Sequence, residues 1–152
     1  MKTIAVVILI GAALSVSGSA RQHDQMKHRG AAAMGFDQDA SVHHFLLKRD
    51  GGEIVVTSKT EPEAVRSHLR EIAVAFARGE FDKPFATHGE VPPGVPVLIA
   101  RQKQLSYRYD ERTSGGAVVI ATNDAAALAA LHQFLRYQIV EHKTGDPLTV
   151  PQ

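Results

Sequence analysis

The chain contains no cysteine. That excludes disulfides, thiolate-ligated zinc, iron–sulfur clusters, covalently attached haem and a thiol nucleophile. It has no tryptophan, and aromatic residues make up only 6%. Charge of one sign is not in excess, with 17 Lys and Arg against 16 Asp and Glu. No basic run, phosphate-binding loop or dinucleotide-type glycine fingerprint occurs. A chain so balanced offers no electrostatic attraction for nucleic acid or for an anionic membrane. The longest apolar run, Ile4 to Leu14, is eleven residues, whereas a membrane-spanning helix takes about 20.

What remains is a chain of 152 residues, 44% apolar and 22% charged, values of one ordinary globular domain. Its first twenty residues read as an address. Met1 and Lys2 precede the apolar run, and Ser15 to Ala20 is small and weakly polar. This is the layout of a secretory signal peptide, with Gly18 and Ala20 at the −3 and −1 positions of a cleavage site. Loss of Lys2 leaves 16 basic and 16 acidic residues. The expected location is periplasmic or secreted. Residues 21–40 read as a mobile arm and residues 41–152 as a single α+β domain.

Two ββα units follow one another. Ser41–Lys48 and Glu53–Ser58 read as strands, with Arg49-Asp50-Gly51-Gly52 as the turn. A helix begins at a Thr60/Glu63 capping pair with Pro62 in its first turn, carries Val65, Leu69, Ile72 and Phe76 on one stripe, and stops at Gly79. The second unit has strands Gln104–Tyr109 and Ala117–Thr122 and a turn over Thr113–Gly116. Its helix is capped by Asp124, carries Leu128, Leu131, Leu135 and Ile139, and is stopped by Gly145-Asp146-Pro147. Anchors recur 64 residues apart, as in Gly51/Gly115, Val55/Val119 and His68/His132. Asp82 to Ala100 holds four of the seven prolines and reads as an extended connection. The expected fold is a two-layer sandwich, a four-stranded antiparallel sheet with two helices on one face. Ile54-Val55-Val56 and Val118-Val119-Ile120 put apolar side chains on both faces of that sheet. The face away from the helices is therefore expected to be covered, by the proline-rich connection or by a second copy in a homodimer.

Eight histidines are the one compositional excess. Helical spacing puts His68, His132 and His142 on or beside the apolar stripes, and strand alternation puts His44 with Val42 and Leu46. His43 shares the other strand face with Phe45 and Leu47. Neutral imidazole is a common ligand of copper, zinc, nickel and iron. The residues expected to hold a transition metal, copper foremost, are His44, His68, His132 and His142, with His88 and Glu90 from the connection as a weaker set. His132 and His142 lie roughly 15 Å apart along one helix and are not expected to share an ion. His68 and His132, equally placed after their helix starts, form the natural pair, with His44 completing it. Cleavage after Ala20 would also expose Arg21-Gln22-His23. The free amine, two amides and the His23 imidazole make a square-planar set for Cu(II) or Ni(II). A core histidine satisfied by carbonyl groups is the plain alternative for each inward residue. A second reading is a small-ligand or haem-type module with a His-lined apolar pocket. A third is an enzyme in which histidine, with Asp37, Glu90 or Tyr107, does acid–base work. No spacing of nucleophile, base and orienting residue supports that last reading, and catalytic residues are not assigned.

Several segments carry a resemblance. They are Met34-Gly35-Phe36-Asp37-Gln38, His43-His44-Phe45, Arg66-Ser67-His68-Leu69, Phe81-Asp82-Lys83-Pro84, Glu90 to Pro96, Tyr107-Arg108-Tyr109 and Phe134 to Pro147. Through them the chain resembles a family of small exported bacterial proteins of uncharacterised function, over nearly the whole of residues 34–147. Some members carry an aspartate carbamoyltransferase label, which implies a carbamoyl-phosphate site. This chain has neither the Ser-Thr-Arg-Thr loop nor the His-Pro-x-Gln segment of such a site. Similar members have Met where this chain has Leu98, which would remove a soft ligand from that position.

Overall fold

The computed structural model describes Gln25 and residues 34–152. The signal-peptide reading, most of the arm and His23 lie outside the described residues. Strand β1 (Ser41–Lys48) and strand β2 (Gly51–Ser58) form a hairpin, followed by helix α1 (Pro62–Ala77). Two short helices, α2 (Asp82–His88) and α3 (Val95–Ala100), and a 3-10 turn over Gln102–Gln104 lead into strand β3 (Leu105–Arg112). Strand β4 (Gly115–Thr122) and helix α4 (Ala125–His142) complete the chain's regular structure. The four strands make one antiparallel sheet in the order β1-β2-β4-β3. Helix α1 lies over β3 and β4, and α4 lies over β1 and β2. This is the expected α+β sandwich, with each long helix crossing the hairpin of the other unit.

The internal repeat is a local twofold. A shift of 64 residues carries the pair Gly51↔Ala121 onto Gly115↔Thr57, with Ile54 and Val118 paired at the centre. The hydrogen bonds obey it. Ser58 Oγ donates to Ala40 O at 3.0 Å, and Thr122 Oγ1 donates to Gln104 O at 2.6 Å. Ser58 N–H donates to Ser114 O at 2.7 Å, and Thr122 N–H donates to Asp50 O at 2.9 Å. The glycines obey it too. A Cβ on Gly51 would stand 1.8 Å from Ile120 O, and one on Gly115 would stand 2.2 Å from Val56 O. Gly51 and Gly52 therefore belong to the strand rather than the turn. They are required by the close approach of β2 and β4, and the turn shrinks to Arg49-Asp50.

Other boundaries differ for local reasons. The Thr60/Glu63 capping pair does not form. The Ser58 hydroxyl accepts from the Thr60 and Glu61 N–H groups, and Pro62 opens α1. Asp124 does cap α4, its carboxylate accepting from the Ala127 N–H at 2.8 Å. Helix α4 stops at His142, where Lys143 takes a left-handed φ of 52°. The connection over 82–100 is not extended. Its prolines stand at or near the starts of α2 and α3, where a missing N–H costs nothing, and it packs on the helix side. Phe81 stacks on Phe76 with ring centroids 4.2 Å apart. Gly94, at φ 85°, lets the chain approach Ala130 O so closely that a Cβ would stand 2.1 Å away. Residues 34–40 are not a free arm, since Phe36 is buried in the core with only 4% of its surface exposed.

The outer sheet face carries Val42, His44, Leu46, Val55 and Val119. Among the described residues no segment covers it, and Val42 is 54% exposed. The proline-rich connection is thus not its cover. Ion pairs Lys48–Glu53, Arg108–Asp110 and Arg112–Asp110 lie among these side chains.

Candidate functional site

The alternation of β1 decides which histidines point inward. Phe45 and Leu47 are buried against the helices, so His43 joins them, and His44 takes the opposite face. His44 is directed to the strand edge, with 46% of its side chain exposed. Its Nδ1 lies 2.8 Å from Asp146 Oδ1. The same carboxylate accepts from the Phe45 N–H at 2.9 Å and from Thr144 Oγ1 at 2.7 Å. Burial alone would raise the Asp146 carboxyl, but the bonds from Thr144, Phe45 and His44 prevail and hold it below the ordinary value. Asp146, expected only to help stop a helix, fastens the C-terminal tail to the edge of the sheet.

His132 is not paired with His68. Its Nε2–H is shared between Lys48 O at 2.9 Å and Gly51 O at 3.1 Å. The twofold shows why. Arg66 on α1 donates to Arg112 O, Thr113 O and Gly115 O of the other hairpin, and Arg112 and Gly115 are the twofold mates of Lys48 and Gly51. The structural counterpart of His132 is therefore Arg66. Both side chains clasp the end of a hairpin, which meets the alternative of a histidine satisfied by carbonyl groups. Glu90 also lies apart, accepting a hydrogen bond from Tyr137 Oη at 2.7 Å.

The remaining inward histidines meet at a cavity of about 60 Å³ between the helices and the sheet. Its walls are His43, Phe45, Ile54 and Val56 from the sheet and His68, Leu69, Ile72 and Phe76 from α1. Lys83, Pro84, Thr87 and His88 from α2, Phe134, Gln138 and His142 from α4, and Met34 complete them. No carboxylate is among these residues. Rings crowd together along one side. His43 and His142 have centroids 5.5 Å apart with planes inclined by 15°, and His88 and His142 are 5.2 Å apart and nearly perpendicular. Phe36 lies against both His43 and His68, at 6.2 and 5.4 Å.

The polar atoms of this cavity are the unusual part. His43 Nε2, His68 Nδ1 and Gln138 Nε2 are buried without a hydrogen-bond partner, a condition that most buried polar groups avoid. Gln138 Oε1 accepts from His88 Nε2–H at 2.9 Å, which leaves the lone pair of that ring on Nδ1. Burial, then the neighbouring His44, pushes His43 down to about 4. Burial foremost, then Lys83, does the same to His68, also to about 4. Both imidazoles are neutral at physiological pH. Lys83 itself pairs with Glu71, Nζ to Oε2 at 2.7 Å.

Of the expected metal set, then, His68, His88 and His142 line one cavity, while His44, His132 and Glu90 are engaged elsewhere. Among the described residues no three of His, Asp and Glu are grouped as ligands of one ion. The sequence reading missed His43, Met34 and Gln138. For His43 the signal was there, because it alternates with Phe45 and Leu47, a heavier apolar pair than Val42 and Leu46. No family model, no curated protein and no solved structure matches the chain.

Proposed function

We propose that the chain is an exported binding module that takes a small ligand into the cavity walled by His43, His68, His88 and His142. The observation that carries this reading is the set of three buried nitrogens with no partner, on His43, His68 and Gln138. An unpaired buried polar group costs roughly 1–3 kcal/mol, and a ligand that bonds to these atoms removes that cost. The cavity has room for one ion or a molecule of a few atoms, being well below the roughly 150 Å³ that accepts benzene. A haem macrocycle does not fit it. Binding suits the walls better than turnover. The only hydroxyl among them is that of Thr87, which donates to Lys83 O at 3.0 Å.

The test is native mass spectrometry of the chain taken gently from its own compartment, beside the same chain after unfolding, dialysis and refolding. A non-covalent adduct is expected in the first sample and not in the second. Imidazole ¹⁵N resonances of His43 and His68 should differ between the two. Identical masses and identical imidazole spectra would overturn the proposal.

A further inference from the structure

We propose that the ligand of this cavity is a monocarboxylate of acetate or propionate size. Its carboxylate accepts hydrogen bonds from Gln138 Nε2, His68 Nδ1 and His43 Nε2, and its alkyl end lies on the apolar wall. This ligand class rests on the binding reading above and stands only with it.

The unpaired atoms call for an acceptor. An amide nitrogen carries hydrogens and no lone pair, and a neutral imidazole donates from whichever nitrogen holds its proton. Gln138 Nε2, His68 Nδ1 and His43 Nε2 can therefore all donate at once, and each lacks a partner. Gln138 and His68 are only 4% and 7% exposed, so bulk water does not serve them. A cation would leave the Gln138 amide unanswered. A carboxylate offers two oxygens with about four acceptor positions, enough for all three donors.

Charge and shape narrow the class. The walls hold Lys83 and no carboxylate. Lys83 pairs with Glu71, yet at the His68 ring the lysine charge outweighs the glutamate. One lysine favours one negative charge. A dianion such as sulfate would bury a second charge without a counterpart, where desolvation is costly. The rest of the wall is apolar, with Phe45, Leu69, Ile72 and Phe134 among its residues. An alkyl group covers that surface, and each buried methylene tightens binding about fourfold. The cavity of about 60 Å³ limits the chain to a few carbons and bars an aromatic ring.

The experiment titrates the refolded, ligand-free chain with acetate, propionate and propionamide by isothermal calorimetry, in a buffer without carboxylates. Propionate should bind one to one, about fourfold tighter than acetate. Propionamide, of the same shape but uncharged, should bind about tenfold or more weakly. With propionate bound, ¹⁵N spectra should place a proton on His43 Nε2 and on His68 Nδ1, and the Gln138 side-chain amide should shift. Gln138→Met is close in volume, and Lys83→Met changes a partly exposed site. Each should weaken propionate about tenfold or more, with folding checked by circular dichroism. His132→Ala, outside the cavity walls, should leave the affinity unchanged.

Neither heat nor a ¹⁵N shift with either carboxylate at millimolar concentration would overturn the proposal. So would propionamide binding as tightly as propionate, or propionate binding indifferent to both Gln138→Met and Lys83→Met. If carboxylates fail while the native adduct of another mass persists, the ligand class falls and the binding reading stands. If the adduct is absent as well, both fall and the cavity holds only water.

Discussion

Lowering the pH from 7.5 to 5.0 should destabilise the ligand-free protein by about 4 kcal/mol, and the loss should trace to two side chains. His43 and His68 have folded-state values of about 4 against an ordinary 6.5. Above 6.5 both states carry neutral rings and nothing is lost. As the pH falls below 6.5 the unfolded chain takes up two protons that the folded chain refuses. Stability then falls by about 1.4 kcal/mol per pH unit per ring until the folded rings titrate near 4. At pH 5.0 that amounts to about 2 kcal/mol for each. Asp146 is also depressed, but its loss begins only near the ordinary carboxylate range, below about pH 5, so the window 6.5 to 5 reports the histidines. The assay is urea unfolding followed by circular dichroism at half-unit pH steps, with a chelator present. His68→Gln removes one titrating ring and should halve the slope, and His43→Gln with His68→Gln should nearly abolish it. Equal stability at pH 7.5 and 5.0, or a slope indifferent to both substitutions, would refute the burial argument and with it the neutral character of the cavity.

Other outcomes follow from single contacts. His132→Ala should cost about 1–2 kcal/mol by stranding Lys48 O and Gly51 O, read as a lower urea midpoint. Asp124→Ala removes the cap of α4 and should cost about 1 kcal/mol in the same assay. Gly94→Ala should cost upward of 2 kcal/mol, since a left-handed φ and a Cβ 2.1 Å from Ala130 O both oppose it. Thermal melts would test this, and an unchanged melting temperature would contradict the packing of α3 on α4.

The repeat, the strands and the two long helices were legible in the sequence because each is specified locally. Alternation names β1, a 3.6-residue stripe names α1 and α4, Asp124 caps one of them, and a spacing of 64 residues relates the halves. The histidines show where local reading ends. Equal spacing after two helix starts made His68 and His132 look like partners, and a true twofold does relate their backbones. Yet Arg66 clasps the equivalent carbonyls of the second hairpin, so His68 is left to the cavity while His132 meets the Lys48 and Gly51 carbonyls. His43 and His44 are adjacent in sequence and face opposite ways. Alternation with Phe45 and Leu47 marks His43 as the inward one, and the placement of α4, α2 and Phe36 on that side of the sheet leaves it buried and neutral. Proline content likewise marked 82–100 without showing that it folds back as α2 and α3 to bring Lys83, Thr87 and His88 to the cavity. Secondary structure follows from neighbours along the chain. The meeting of Met34, His43, His88 and His142 follows from layer packing, which couples residues as much as 108 positions apart and leaves no periodic trace in the sequence.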